Sequence, residues 1–149
     1  MTKEILIDQL VERGGISYEV NSTTPFAGVT LDYDENGQLQ QRSNYKDGKS
    51  EGFSEKYYNN GQLEWKANFK DGKLDGLWEK FYENSELEEK RNYKNGKIDG
   101  IYEVFYENGQ LEWRANYKDG KLDGLFELFD ENGNLTKTKE YKNGELING

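Results

Sequence analysis

The chain has 149 residues, of which 33% are hydrophobic and 14% aromatic, and its mean hydropathy is −1.11. This length is enough for one domain, but so polar a chain predicts something other than a round globule with a large buried core. The 17 glycines and single proline favour strands punctuated by turns over disorder, because disordered chains are depleted in aromatic residues.

The sequence contains neither cysteine nor histidine. Disulfides, thiolate or imidazole metal sites, and Ser-His or Cys-His nucleophiles are therefore excluded. Pairs of carboxylates are abundant, but no cleft is predicted that would raise the pKa of one acid as a glycosidase requires. We therefore expect no enzyme activity, no cofactor and no metal.

The formal net charge of −9 bears on partners and location. It argues against nucleic acids and anionic membrane surfaces, both of which select for basic patches, and it fits a neutral or basic protein partner. No apolar run is long enough to cross a membrane, and the residues from Met1 to Glu4 do not open a signal peptide. The sequence as given predicts a cytoplasmic protein, or an exported one if a signal was trimmed.

Residues 1–28 stand apart from the rest and predict an N-terminal capping segment. Residues 2–13 have the pattern of a short helix that begins after Thr2 and stops at Gly14-Gly15. Residues 11–18 also fit two strands joined at the same glycine pair, and we favour this hairpin.

Residues 29–149 predict five repeats that form one continuous domain, because glycines recur every 24 residues. The complete series are Gly28, Gly52, Gly76, Gly100 and Gly124, and Gly48, Gly72, Gly96, Gly120 and Gly144. A third series consists of Gly37, Gly61, Gly109 and Gly133, with Ser85 in the middle place. Such a period indicates an architecture in which each unit packs only against its neighbours.

Each repeat predicts a β-hairpin, because an Asn-Gly pair such as Asn60-Gly61 lies between alternating residues and is typical of a two-residue type I′ turn. A second turn, such as Asp71-Gly72, joins one hairpin to the next. The predicted fold is all-β: an elongated antiparallel meander of about ten strands in a single-layer twisted sheet, which at roughly 4.8 Å per strand extends about 45 Å.

Two-residue turns fix which side chains face one another across the strands. They place Phe69 opposite Gly52, and the corresponding tyrosine opposite the strand glycine of every other repeat, an arrangement that compensates glycine in a sheet. They also place Trp113 opposite Phe126. In the third repeat they predict a cation–π pair between Trp78 and Arg91 and an ion pair between Glu89 and Lys80.

This register predicts one face that is rich in aromatic side chains and an opposite face that carries charged rows. The candidate partner-binding residues on the aromatic face are Tyr58, Trp65, Trp78, Tyr82, Tyr102, Tyr106, Trp113 and Phe126. The terminal repeats are polar at the same positions, with Asp34, Gln41, Asp130 and Lys137. Such substitutions are expected where a solenoid is capped.

The repeat unit, G-x-W/Y-x-x-F/Y-Y-x-N-G-x-L followed by N-Y-K-D-G-K-x-D-G, resembles the bacterial variant of the MORN repeat, of the kind often labelled a YwqK-type antitoxin. The resemblance covers essentially the whole chain. It implies a β-hairpin meander used mainly for binding, and an antitoxin role. Ser85 in place of glycine and Glu89 in place of tryptophan depart from the pattern in repeat three.

Two strings invite a metal-site interpretation. Residues 32–37 match the start of a calcium loop, but Ser43 occupies the position where the loop needs its bidentate acid. Residues 71–76 include Lys73, which would repel a cation. Both strings are better explained as turns.

The sequence therefore predicts a non-catalytic protein–protein interaction module, in its sharper form an antitoxin or immunity protein that masks a basic protein. The alternative is a structural scaffold that self-associates or docks at the cell envelope, through its aromatic face or its open edges.

Overall fold

The computed structural model describes residues 2–149, and it is all-β apart from one 3₁₀ turn at Ile7–Gln9. The strands are β1 (Glu4–Leu6), β2 (Leu10–Arg13), β3 (Ile16–Glu19), β4 (Gly28–Tyr33), β5 (Leu39–Lys46), β6 (Lys49–Tyr57), β7 (Leu63–Lys70), β8 (Lys73–Phe81), β9 (Leu87–Lys94), β10 (Lys97–Phe105), β11 (Leu111–Lys118), β12 (Lys121–Phe129), β13 (Leu135–Lys142) and β14 (Glu145–Asn148). The ten strands from β4 to β13 are the five predicted hairpins. The chain forms two compact units, of which the first ends at Lys73 and the second begins at Leu74.

In the first unit, the strands from β4 to β7 are antiparallel neighbours in sequence order, and β1 pairs in parallel with β4. Strands β2 and β3 form the separate hairpin predicted around Gly14-Gly15. This N-terminal segment supplies Ile5 and Phe26 to the buried apolar side chains, which in this unit also include Val29 of β4. The sequence did not indicate the parallel strand β1.

In the second unit, the strands from β8 to β14 follow one another as antiparallel neighbours. The predicted pairing of each strand glycine with a ring is confirmed: Tyr93 lies opposite Gly76, and Tyr117 lies opposite Gly100. The fold-class prediction of tandem antiparallel hairpins is thus confirmed.

The Asp-Gly turns between hairpins are two-residue type I′ turns. At Asp119-Gly120 both φ angles are positive, 49° and 82°, and Lys118 lies directly opposite Lys121. The two amide groups of this turn point back to the preceding repeat. Gly120 N donates to the Ile98 carbonyl at 2.8 Å, and Asp119 N donates to the Asp99 carboxylate at 3.2 Å.

This pair of bonds recurs along the chain, with donors and acceptors 22 and 20 residues apart. In the first unit Gly72 N donates to the Ser50 carbonyl at 2.9 Å, and Asp71 N donates to the Glu51 carboxylate at 2.9 Å. In the second unit Gly144 N donates to the Leu122 carbonyl at 2.7 Å. Each turn is thereby fastened to the strand of the repeat before it. We call these bonds the turn staples.

The type I′ prediction was wrong for the Asn-Gly turns. Gly61 N donates to the Tyr58 carbonyl at 2.9 Å, while Tyr58 N donates to the Gln62 carbonyl at 2.8 Å. This is a three-residue loop, a type I turn closed by a glycine bulge with positive φ (86°) at Gly61. The Asn60 side chain favours it, because its Oδ1 accepts the Gln62 amide at 2.9 Å.

The predicted register was also wrong beyond the Asp-Gly turns. In the second unit Trp113 lies opposite Leu128, and Phe126 lies opposite Ala115, because the pairing shifts by two residues between Ala115 and Tyr117. The wide bulge is accommodated by Gly124, whose φ is 112°, and by Asn116, whose Nδ2 donates to the Leu125 carbonyl at 3.3 Å. A shift of two leaves the side chains beyond it on their predicted face. Beside the Asn-Gly turns the pairing instead shifts by one residue, so that Leu63 lies opposite Tyr57.

Replacing Ser85 with glycine should stabilise the protein by about 1 kcal/mol, because Ser85 has a φ of 72° at the place where the four other repeats have glycine. The denaturant midpoint measures the gain. The control, Ser85→Ala, keeps an L side chain at positive φ and should give none. An unchanged midpoint for Ser85→Gly would contradict the assigned strain.

Two glycine-to-alanine changes separate backbone strain from crowding. Alanine at Gly109 meets only the Glu86 carboxylate at 3.8 Å, so it should cost about 1 kcal/mol for its φ of 88° alone. Alanine at Gly124 would also place Cβ at 3.2 Å from Asn116 Cβ, so it should cost more. Equal losses of stability in denaturant titrations would show that the wide bulge is not tightly packed.

Candidate interaction face

The second unit carries a continuous set of aromatic contacts on one face of its sheet. Across the strands, Trp78 lies opposite Arg91, Arg91 opposite Tyr102, Tyr102 opposite Ala115, and Ala115 opposite Phe126. Trp113 occupies the adjacent row. We call this set, together with two flanking tyrosines, the ladder face: Trp78, Arg91, Tyr102, Trp113, Ala115, Tyr117, Phe126 and Tyr141.

The rings of the ladder face touch one another in sequence. The centroids of Tyr102 and Trp113 are 4.7 Å apart, and those of Trp113 and Phe126 are 5.4 Å apart with the rings stacked at 20°. Tyr141 meets Phe126 edge-on at 6.4 Å. Ala115 is fully buried among them, because a small side chain leaves room for rings to close over it. The rings themselves are half-buried and keep part of their surface in solvent.

In repeat three, an ion pair takes the place of the tryptophan and alanine of repeats two and four. The Arg91 guanidinium lies 4.3 Å from the Trp78 ring centroid and 4.6 Å from that of Tyr102. It donates to Glu89 at 3.1 Å, and the Tyr102 hydroxyl donates to the same carboxylate at 2.6 Å. The predicted cation–π pair is confirmed. The predicted partner of Glu89 was wrong, since Lys80 lies beside Glu88 at 3.4 Å.

These contacts set the ionisation of the two groups. Burial raises the pKa of Tyr102, and its hydrogen bond to Glu89 raises it further. Burial acts to lower the pKa of Arg91, but hydrogen bonds to Tyr93 and Glu89 outweigh this and raise it. Arg91 is therefore a permanent cation inside the ladder, and Tyr102 is a neutral donor.

Tyr82 and Tyr106 connect consecutive repeats of the second unit. The Tyr82 hydroxyl donates to the Phe105 carbonyl at 2.6 Å, and the Tyr106 hydroxyl donates to the Phe129 carbonyl at 2.7 Å. Both rings are half-buried. These two candidates therefore have a structural function, and the repeated spacing of 23 residues between tyrosine and phenylalanine was the signal that could have revealed it.

The first unit holds the two remaining candidates, Tyr58 and Trp65, both half-buried. Tyr58 closes the turn described above, and Trp65 lies opposite Lys56. The row that is aromatic in the second unit consists here of buried small side chains. Its members are Thr30, Ser43, Ser54 and Ala67. Of the eight candidates, the structure brings Trp78, Tyr102, Trp113 and Phe126 together on the ladder face.

In the first and last repeats, aspartate replaces the linking tyrosine and holds its own turn. Asp34 Oδ1 accepts the amides of Asn36 and Gln38 at 2.8 and 2.9 Å. At the equivalent place, hydrogen bonds from the Asn134 amide and other turn groups lower the pKa of Asp130. This bonding supports the turn interpretation of residues 32–37. Within residues 2–149, no cluster of acids suited to a metal ion is found.

The turns give the second unit two edges of different charge, which the sequence analysis missed. The Asn-Gly type turns, at residues 82–86, 106–110 and 130–134, contain five acids and no basic residue. We call these acids the acidic edge: Glu83, Glu86, Glu107, Asp130 and Glu131. The turns at residues 94–97, 118–121 and 142–145 contain five lysines and two acids. Counting the charged residues of the two kinds of turn separately would have revealed this difference in the sequence.

The face opposite the ladder alternates in charge. Glu79, Lys90, Glu103, Arg114 and Glu127 lie opposite one another in turn from β8 to β12. The closest of these pairs is Arg114 with Glu127, at 2.9 Å. Each acid of this row has a base in an adjacent strand, so positive and negative charges alternate on this face.

Replacing Arg91 with alanine should lower the unfolding free energy by about 2 kcal/mol, because the half-buried Glu89 loses its cation. The double variant Glu89→Trp, Arg91→Ala recreates the pair found in repeats two and four and should recover most of that loss. Denaturant titrations of both variants test this. A double variant as unstable as the single one would contradict the proposed equivalence of the two rungs.

No curated protein matches the chain. A solved structure titled "Crystal structure of GtfA/B complex bound to UDP and GlcNAc" is similar over 93% of this chain, at 12% identity and a TM-score of 0.31. The match covers 29% of that chain, so this chain spans less than a third of that protein's length.

Within the described residues, no helix is long and apolar enough to span a membrane.

The family model described as "MORN repeat variant" matches residues 28–47, 51–71, 74–95, 98–119 and 122–143. The five matches correspond to the five hairpins and cover more than half of the sequence. The chain therefore belongs to the MORN repeat variant family.

Proposed function

We propose that the protein is a non-catalytic interaction module that binds another protein through the ladder face. The observation that carries this is the run of touching, half-buried rings from Tyr102 through Trp113 to Phe126. Aromatic side chains that keep accessible surface on a rigid sheet are the usual anchors of protein interfaces. Family membership supports a repeat-based interaction or scaffold role.

The finer proposal is an antitoxin or immunity role, in which the partner is a basic protein that this chain masks. The net charge of −9 and the acidic edge support a basic partner, because complementary charge accelerates encounter and selects orientation. The aromatic rings would then supply most of the binding free energy, and the acidic edge would mainly attract and orient the basic partner.

Affinity capture from the source organism, followed by reconstitution from purified components, tests the proposal. We expect a defined complex with a basic protein that weakens as salt rises. The variant Trp113→Gln, Phe126→Ser should bind about tenfold more weakly or worse, through loss of the anchors. Its replacements occur at the same repeat positions in Gln41 and Ser54. The control, Leu125→Ser, removes an exposed apolar side chain from the opposite face and should bind normally.

A partner that binds the ladder variant and the parent equally would refute the use of this face. Light scattering across a concentration series tests the alternative. A chain that assembles with itself, and does so through Trp113 and Phe126, would establish the scaffold role instead.

A further inference from the structure

The acidic edge borders the ladder face in the second unit. Tyr82 lies at this end of the sheet, where its hydroxyl donates to the Phe105 carbonyl at the end of β10 at 2.6 Å. Its pKa is raised by burial and then by the carboxylates of Glu88, Glu107, Glu112 and Glu89. Glu107 belongs to the acidic edge, while Glu89 is bonded to Arg91 on the ladder face. A partner seated on the rings therefore meets carboxylates along one side.

The acids of the acidic edge and the rings of the ladder face recur at the same interval along the sheet. Glu83, Glu107 and Glu131 recur every 24 residues, which is every second strand, or about 10 Å along the sheet. On the ladder face, the rings of Trp78, Tyr102 and Phe126 recur at the same 24-residue interval. An α-helix advances about 10 Å in seven residues, so side chains at heptad spacing match this repeat.

From this geometry we propose that the ladder face binds an amphipathic basic helix of the partner protein, laid across the strands. Its apolar stripe packs on Tyr102, Trp113 and Phe126, and lysines or arginines at heptad spacing face the acidic edge. The inference rests on the proposed function, because it assigns the chemistry of the partner for the same face.

Charge complementarity fixes the side on which the cations lie. The acidic edge has no basic residue, whereas the opposite turns of the second unit carry Lys94, Lys97, Lys118, Lys121 and Lys142. The carboxylates of Asp99 and Asp123 lie beside these turns and partly balance the lysines. A helix with cations on that side would therefore gain less attraction than at the acidic edge. The bound helix therefore has a basic flank toward the Asn-Gly turns and a neutral or acidic flank toward the lysines.

The repeats themselves provide matched variants. In the acidic-edge variant each change is to a residue found at that position in another repeat, Asn59 or Gln62: Glu86→Gln, Glu107→Asn and Glu131→Asn. The control variant removes the same charge elsewhere in the second unit: Asp119→Asn, Glu140→Asn and Glu145→Gln. The first two control replacements also occur in other repeats, in Asn95 and Asn116.

The probe is a synthetic helical peptide of about 20 residues with a leucine stripe and lysines at heptad spacing on one flank. Its binding to the full chain is measured by fluorescence anisotropy at two salt concentrations. We expect the acidic-edge variant to bind about tenfold more weakly, the control variant within about twofold, and a scrambled peptide of the same composition about tenfold more weakly. Higher salt should reduce these differences.

Equal weakening in the two charge variants would overturn the proposal, since net charge alone would then explain binding. Equal binding of the scrambled peptide would overturn it too. If the proposed function itself is wrong, the captured partner will bind equally well after Trp113 and Phe126 are replaced. A partner that needs those rings but not the acidic edge would refute only the basic helix.

Discussion

The turn staples are the bonds on which the rest of this structure depends. Each type I′ turn has two residues with positive φ, so its amides point the same way and meet a carbonyl and a carboxylate of the preceding repeat. The sheet ladders alone would hold neighbouring strands together. The staples also hold each turn against the repeat before it. The tyrosine links at Tyr82 and Tyr106 have the same effect from the opposite edge of the second unit.

Because these hydrogen bonds hold consecutive repeats in a regular sheet, one face of the sheet can be apolar without a second sheet packed against it. In the second unit the rings stabilise one another, with Ala115 buried among them, and a pair such as Arg114 with Glu127 satisfies the charges of the opposite face. The unbalanced charge is left to the turns, which separate acids from lysines onto two edges. In the interaction that we propose, a partner would meet carboxylates, rings and ammonium groups side by side on one surface. That order would give direction to binding, which aromatic contact alone would not.

Much of this fold was predictable from the sequence because a 24-residue period with alternating residues leaves few arrangements open. The pairing of Gly100 with Tyr117 followed from that pattern. The type of the Asn-Gly turns did not, because Asn-Gly suits both a type I′ turn and a type I turn with a glycine bulge. The bond from Gln62 N to Asn60 Oδ1 favours the glycine bulge, and the sequence alone did not show that this bond forms. The sequence did not reveal the wide bulge beside Gly124, because a shift of two residues leaves the side chains on the same faces of the sheet. In the sequence, Glu89 and Arg91 were recognisable only as a departure from the repeat pattern. The hydrogen bonds between their side chains became known from the structure.

The direction of the staples has a consequence for how the chain is made. Their donors always lie 20 to 22 residues after their acceptors, as Gly120 does after Ile98. A chain that emerges from the ribosome N-terminus first therefore presents the acceptors before the donors that need them. The capping segment, with Ile5 and Phe26, is synthesised before the repeats and gives the opening hairpins a surface to pack against. Contacts this local favour rapid folding, and each hairpin can join an already formed edge soon after it is translated.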